Sequence, residues 1–179
     1  TNFVRYVLFV SFMLMAAAIS SPFFSVYMLE ELNFNYSTYT LINTAGVIAG
    51  LMSLPLWGAL ADKYGNAKII RVSAVFIPFV PVLWMLSGNV IYLIVITAFG
   101  AYIWSGFSLA MVNFVFDSVP AELRIRYSGY LNFTNGVFTL VGALAGGWLG
   151  THIPYKISVS RLMTVFLISA AARFAVNLF

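Results

Sequence analysis

The sequence predicts an all-α membrane protein with six transmembrane helices. Three observations carry that prediction. Hydrophobic residues make up 62% of the chain and the mean hydropathy is +0.97. That is more apolar surface than a soluble domain of 179 residues can bury. Charged residues are only 8%, against about 25% in ordinary soluble proteins, and they collect in short interruptions between apolar runs. Strand-like alternation is absent, which argues against a β-barrel, whereas helices satisfy their own backbone groups in lipid.

The apolar runs cover residues 7–28, 39–61, 69–87, 90–116, 128–150 and 160–179. Each can cross a hydrocarbon core of about 30 Å at about 1.5 Å per residue. The first is too long for a signal-peptide core, and no small-residue cleavage site follows a short core. It ends at Glu30 and Glu31. The second carries Asn43, with Gly46 and Gly50 four residues apart. The third contains Pro78 and Pro81 and stops at the uncharged hairpin Ser87-Gly88-Asn89. The fourth holds Tyr102, Trp104, Ser105 and Asn113, then gives way to Asp117, Glu122, Arg124 and Arg126. The fifth holds Asn132 and Asn135, with Gly142, Gly146 and Gly150 at four-residue spacing. The sixth follows Lys156, has Arg161 at its edge and carries Arg173 near its end. Glycines so spaced let helix backbones approach closely, for plain packing or for faces that slide. Pro22, Pro55, Pro78 and Pro81 can kink or break their helices. Thr1 is not a methionine and Phe179 lies inside an apolar run, so the chain reads as part of a longer protein.

The charges also orient the chain. Arg5, Lys63, Lys68, Arg71, Arg124, Arg126 and Arg173 fall on one side of the membrane, and Lys156 and Arg161 on the other. The positive-inside rule then places both termini in the cytoplasm, with the plasma (inner) membrane as the expected location. The net charge of +4 follows this placement and does not suggest a nucleic-acid partner. With no cysteine and a single histidine, His152, there is no disulfide framework, thiolate metal site or histidine metal cluster. No acid–base dyad lies in a span, no Ser-His-Asp set has a plausible geometry, and no phosphate-cradling glycine loop precedes a strand. An enzyme is not expected, nor is a cofactor.

The most informative stretch is the charged turn Gly58-Ala59-Leu60-Ala61-Asp62-Lys63-Tyr64-Gly65-Asn66-Ala67-Lys68. It resembles the loop signature of the major facilitator superfamily. Gly58, Leu60, Ala61, Asp62, Lys63 and Gly65 match that signature. Asn66 and Ala67 depart from it, where basic residues are usual, and Lys68 supplies one slightly late. Arg124-Ile125-Arg126, after the fourth run, is a weaker second match. The resemblance implies that the whole chain is one six-helix half of a twelve-helix carrier. The C-terminal half is favoured. No buried arginine occurs between Val90 and Asp117, and Ser20-Ser21-Pro22-Phe23-Phe24 ahead of Tyr27-Met28-Leu29 looks more like the seventh helix of such carriers.

The resemblance further implies alternating access around a site near the bilayer midplane. The expected partners are a small-molecule substrate, the other six-helix half and the lipid bilayer. The turn, with Gly58, Asp62, Lys63, Gly65 and Lys68, would be a cytoplasmic gating element. Asp62 is expected to pair with Arg124 or Arg126 and so form a charged latch; the plainer alternative is a solvated aspartate that ends a helix. Polar residues inside the spans are the pathway candidates: Ser20, Ser21, Asn43, Trp104, Asn113, Asn132 and Asn135. A buried amide in lipid needs a partner in another helix, a ligand or water. Interhelical bonding is the alternative role for each of them. Arg173 is expected to snorkel to the cytoplasmic surface, with contact to an anionic substrate as the alternative. No acidic residue lies deep in a span, so any proton relay would come from the other half. A non-transporting six-helix scaffold or receptor is the other function class open to such a chain. A half-size carrier that dimerises is a further one.

Overall fold

The structure, a computed structural model, describes residues 2–152 and 160–178. Lys156 lies outside them. Helix α1 runs Asn2–Val26 and ends in a π turn over Tyr27–Glu31, where the Leu32 N–H reaches the Tyr27 carbonyl at 3.0 Å. Helix α2 spans Tyr36–Tyr64. The Asn35 side chain caps it by accepting from the Thr38 N–H at 2.8 Å. The next apolar run forms two helices, α3 (Asn66–Phe76) and α4 (Phe79–Trp84). Helix α5 (Val90–Ser118) starts at Asn89, which accepts from the Ile91 and Tyr92 N–H groups. A short 3-10 turn, Ala121–Leu123, leads to α6 (Arg124–His152). Ser160 caps α7 (Arg161–Asn177).

Among the described residues, four stretches are long and apolar enough to cross a membrane: Phe3–Glu31, Tyr36–Tyr64, Asn66–Trp84 and Val90–Ser118. Helix α6 has the length, at 29 residues, but Asn132, Thr134, Asn135 and its glycines dilute its apolar character. Helix α7 has 17 residues, a little short of the about 20 that span a bilayer.

Helix α1 packs along α6, and α2 along α5. Helix α3 also lies on α5, while α7 rests on α1 and α4. Toward the charged turn the core is built around Val10, Met13, Ile77, Phe107 and Ala110. Toward the opposite end it is built around Met28, Ile42, Leu93 and Phe166. Between helices in lipid, shape and hydrogen bonds decide the fit, because hydrocarbon tails are as apolar as leucine. Glycines provide the shape. Gly142 and Gly146 press on the backbone of Met15 and Ile19, and Gly46 lies against Thr97. The Trp57 indole N–H donates to the Tyr102 carbonyl at 2.8 Å, and Ser53 and Ser105 are hydrogen-bonded across the same α2–α5 contact.

The break between α3 and α4 has a chemical cause. Proline has no N–H, so Pro78 leaves the Ala74 carbonyl without its helical donor, and Pro81 does the same to Ile77, which keeps only a turn bond from the Val80 N–H at 3.3 Å. Helix α7 supplies both donors. The Asn177 amide reaches the Ala74 carbonyl at 2.8 Å, and the Arg173 guanidinium reaches the Ile77 carbonyl at 3.2 Å. Arg173 also donates to the Ser20 hydroxyl at 2.8 Å and to the Ala17 carbonyl at 3.4 Å. Its exposure is 2%. The expectation that Arg173 snorkels to the surface is therefore corrected: it is an interior tie between α7, α1 and the α3–α4 break. The remaining basic residues on that side, Arg5, Lys63, Lys68, Arg71, Arg124 and Arg126, still outnumber Lys156 and Arg161.

Candidate functional site

The charged turn is a reversal made by one residue. Helix α2 ends at Tyr64 and α3 begins at Asn66, with Gly65 at φ 85° and ψ 146° between them. That conformation suits glycine because a Cβ is strained there, although space around it is open. The Gly65 N–H closes α2 on the Ala61 carbonyl at 2.8 Å. Lys63 and Lys68 lie over the Tyr64 ring at 5.2 and 4.7 Å, contacts of the cation–π kind.

Asn66 donates to the Asp117 carboxylate at 2.6 Å, tying the start of α3 to the end of α5. A basic residue, which the loop signature would place here, could meet the same carboxylate. The departure at Asn66 thus exchanges a cation for an amide and keeps a contact. Neither this pair nor the Arg173–Asn177 clamp was evident from the sequence. The available signal for the clamp was spacing: Pro78 and Pro81 orphan carbonyls one turn apart, and Arg173 and Asn177 are also one turn apart.

The two arginines after α5 act locally. Arg124 donates to the Phe116 carbonyl at 2.9 Å and the Val119 carbonyl at 3.2 Å, where cations complement the negative end of a helix. Arg126 donates to the Tyr130 hydroxyl at 2.9 Å, and that hydrogen bond holds its guanidinium above its ordinary range. Asp62 is exposed. Among the described residues no hydrogen bond or ion pair joins it to Arg124 or Arg126, so the expected pair within this bundle is not formed here. Asp62 lies in the last turn of α2, where the helix dipole disfavours a negative charge by about 0.3–1 kcal/mol. An aspartate placed only to end the helix has the wrong sign for that position.

Asp62 ends a continuous exposed face. Thr44, Ile48, Met52, Pro55, Ala59 and Asp62 follow helical spacing along α2 and all are exposed. Only 22% of the most apolar window of α2 is buried, against 50% for Asn66–Trp84, so α2 is the less covered of the two. Helix α6 has a similar face, on which Gly129, Asn132, Gly136 and Thr139 are exposed. Nothing stands within 4 Å of where a Cβ would lie on Gly129 or Gly136.

The remaining pathway candidates separate into two groups. Ser20 is fully buried, bonded to Arg173 and to Ser169. Asn135 is buried and accepts from Ser11 at 2.7 Å, joining α6 to α1. Ser21 and Asn43 donate within their own helices, to the Ala17 and Tyr39 carbonyls. Trp104 is half-buried with its ring edge-on to Phe107 at 5.6 Å. Asn113 is half-buried and Asn132 exposed, and neither amide has a hydrogen bond among the described residues. His152 is exposed and stacked on Trp148 at 5.0 Å.

Comparison with known proteins agrees with this geometry. The model of the Major Facilitator Superfamily matches residues 7–178. The tetracycline resistance protein, class H, of Pasteurella multocida is 33% identical over 64% of this chain and 30% of its own length. An MFS-type transporter of Aspergillus terreus is 30% identical over 66% of this chain and 21% of its own length. An uncharacterized MFS-type transporter of Schizosaccharomyces pombe is 26% identical over 67% of this chain and 20% of its own length. The chain thus spans a third or less of the length of these relatives. With its family match and its apolar helices, this is an integral membrane protein, and it belongs to the major facilitator superfamily.

Proposed function

We propose that the chain is one six-helix half, the C-terminal one, of a twelve-helix secondary transporter that moves a small solute by alternating access. The observation that carries this is the exposed face of α6. An amide such as Asn132 is costly against hydrocarbon, and the open glycines beside it leave room for close helix approach. Such a face suits a water-filled pathway or a second bundle better than lipid. The parallel face of α2 ends at Asp62. Both faces then meet the other half, α6 with its amide in the third of the helix nearest the charged turn and α2 with its acid at the cytoplasmic edge. Helices α6 and α7 complete the set of six spans, and both termini lie in the cytoplasm at the inner membrane.

In this reading the turn Gly58–Lys68 is the cytoplasmic gate. Arg124 and Arg126 are engaged locally, so the latch partner of Asp62 is a donor or helix N-terminus on the other half. A charge-assisted contact of this type is worth about 1.5–3 kcal/mol. Removing it from one state shifts the balance of states about tenfold or more. Asp62→Asn in the full-length protein is expected to lower transport about tenfold while leaving the melting temperature unchanged. Wild-type transport by that variant would overturn the gate.

Asn113 and Asn132 are the lining residues, and Ser20 and Asn135 hold the helices together. This half has no cysteine, so it adds no thiol background to an introduced cysteine. Asn113→Cys and Asn132→Cys are expected to react with a water-soluble thiol reagent in at least one transport state, and Ser20→Cys in none. Unreactive thiols at both asparagines would instead favour the dry interior of a non-transporting scaffold.

A further inference from the structure

A cleft of about 1090 Å³ opens between α1, α3 and α7 at the end of the bundle that carries the charged turn. Arg5 and Arg71 line it, together with Phe9, Ile70, Val75 and Leu178. It lies apart from the exposed faces of α2 and α6. We propose that this cleft binds an anionic phospholipid, with the phosphate held by Arg5 and Arg71 and the acyl chains along the apolar wall.

The two arginines stand out from the other cations at this end. Arg124 and Arg126 are bonded to carbonyls and a hydroxyl, and Lys63 and Lys68 lie over a ring. Arg5 and Arg71 are exposed and have no hydrogen bond or ion pair among the described residues. Among the described residues no acidic side chain lines the cleft. Its other polar side chains are committed, Tyr6 to the Met111 carbonyl at 2.6 Å and Asn177 to the Ala74 carbonyl at 2.8 Å. The free donors are thus two guanidiniums, whose planar forks match phosphate oxygens.

The wall decides between a lipid and a soluble anion. A free phosphate would leave Phe9, Val75 and Leu178 uncovered, whereas a phospholipid covers them with its chains. The level is right as well. The end of α3 at the charged turn marks the membrane edge, where basic side chains attract anionic headgroups. This inference rests on the membrane location of the chain and not on alternating access, so lipid binding is read without a transport measurement.

The test uses the full-length protein in a nonionic detergent, with bound lipid counted by native mass spectrometry. Dioleoyl phosphatidylglycerol is expected to bind and dioleoyl phosphatidylcholine to bind far more weakly. Arg5→Gln and Arg71→Gln should each weaken the phosphatidylglycerol complex about fivefold, and the double variant roughly thirtyfold. Both side chains are exposed, and the single variants keep the test readable where the double variant does not fold. Equal binding of the two lipids, or wild-type affinity in the glutamine variants, overturns the proposal. So does displacement of the lipid by inorganic phosphate at equal concentration, which would make the cleft a soluble-anion site.

Discussion

Gly146→Ala is expected to force α1 and α6 apart and to lower stability by about 3 kcal/mol or more. A Cβ at Gly146 would fall on the Ile19 carbonyl oxygen, with the carbonyl carbon at 2.9 Å and the Cα at 3.0 Å. These are backbone atoms of a helix, so no side chain can rotate away. Gly142 is the same case one turn earlier, with the Met15 carbonyl carbon at 2.9 Å and the Ala18 Cβ at 3.0 Å. Alanine gains up to about 1 kcal/mol over glycine in a helix, which does not offset a clash of this kind. Gly136→Ala is the control. Its site is open within this bundle, so it meets no backbone of α1 and should cost far less than Gly146→Ala. Thermal unfolding in detergent checks the contrast. Equal melting temperatures for Gly146→Ala and Gly136→Ala would mean that α1 and α6 are not in backbone contact.

Arg173→Ala is expected to cost about 2–3 kcal/mol, because it leaves the Ile77 carbonyl with only the Val80 N–H turn bond at 3.3 Å and Ser20 with only the Ser169 hydroxyl as a donor. The diagnostic measurement is a double-mutant cycle with Pro81→Ala. Alanine at position 81 restores an N–H that can close on the Ile77 carbonyl within the helix. In that background Arg173→Ala should cost about 1 kcal/mol less. Simple additivity of the two substitutions would show that Arg173 does not serve the proline-orphaned carbonyl. The comparison also separates this role from plain packing, since loss of side-chain volume is the same in both backgrounds.

The helices were largely legible because their signals are local. Asn35, Asn89 and Ser160 are cap residues close to the starts of apolar runs. The turn at Gly65 was legible because charge is scarce everywhere else. The roles of the polar residues inside the helices were not. The cost of burying Ser20, Asn113, Asn132 or Asn135 without a partner is the same from sequence alone, so all four read as pathway candidates. In the fold, Ser20 meets Arg173 and Asn135 meets Ser11, while Asn113 and Asn132 have no such bond among the described residues. Arg173 misled for a related reason. Near the end of an apolar run it resembles a snorkelling cation, and its acceptors, freed by Pro81 and displayed by α1, lie far away in sequence.

The sequence by itself determined that this chain lives in lipid, which segments are helical, and where the charged turn lies. Its pattern also carried the family. Only the tertiary structure decided which face of each helix is covered. In water an amphipathic stripe marks the buried side, because burial and polarity oppose each other. In a bilayer the covered and uncovered faces are both apolar, so hydrophobicity does not distinguish them. That distinction rests on close contacts between backbones: Gly146 is pressed against Ile19 while Gly136 stands open. Only such contacts show that Asp62 ends an uncovered face of α2, and that Arg5 and Arg71 share a cleft between three helices.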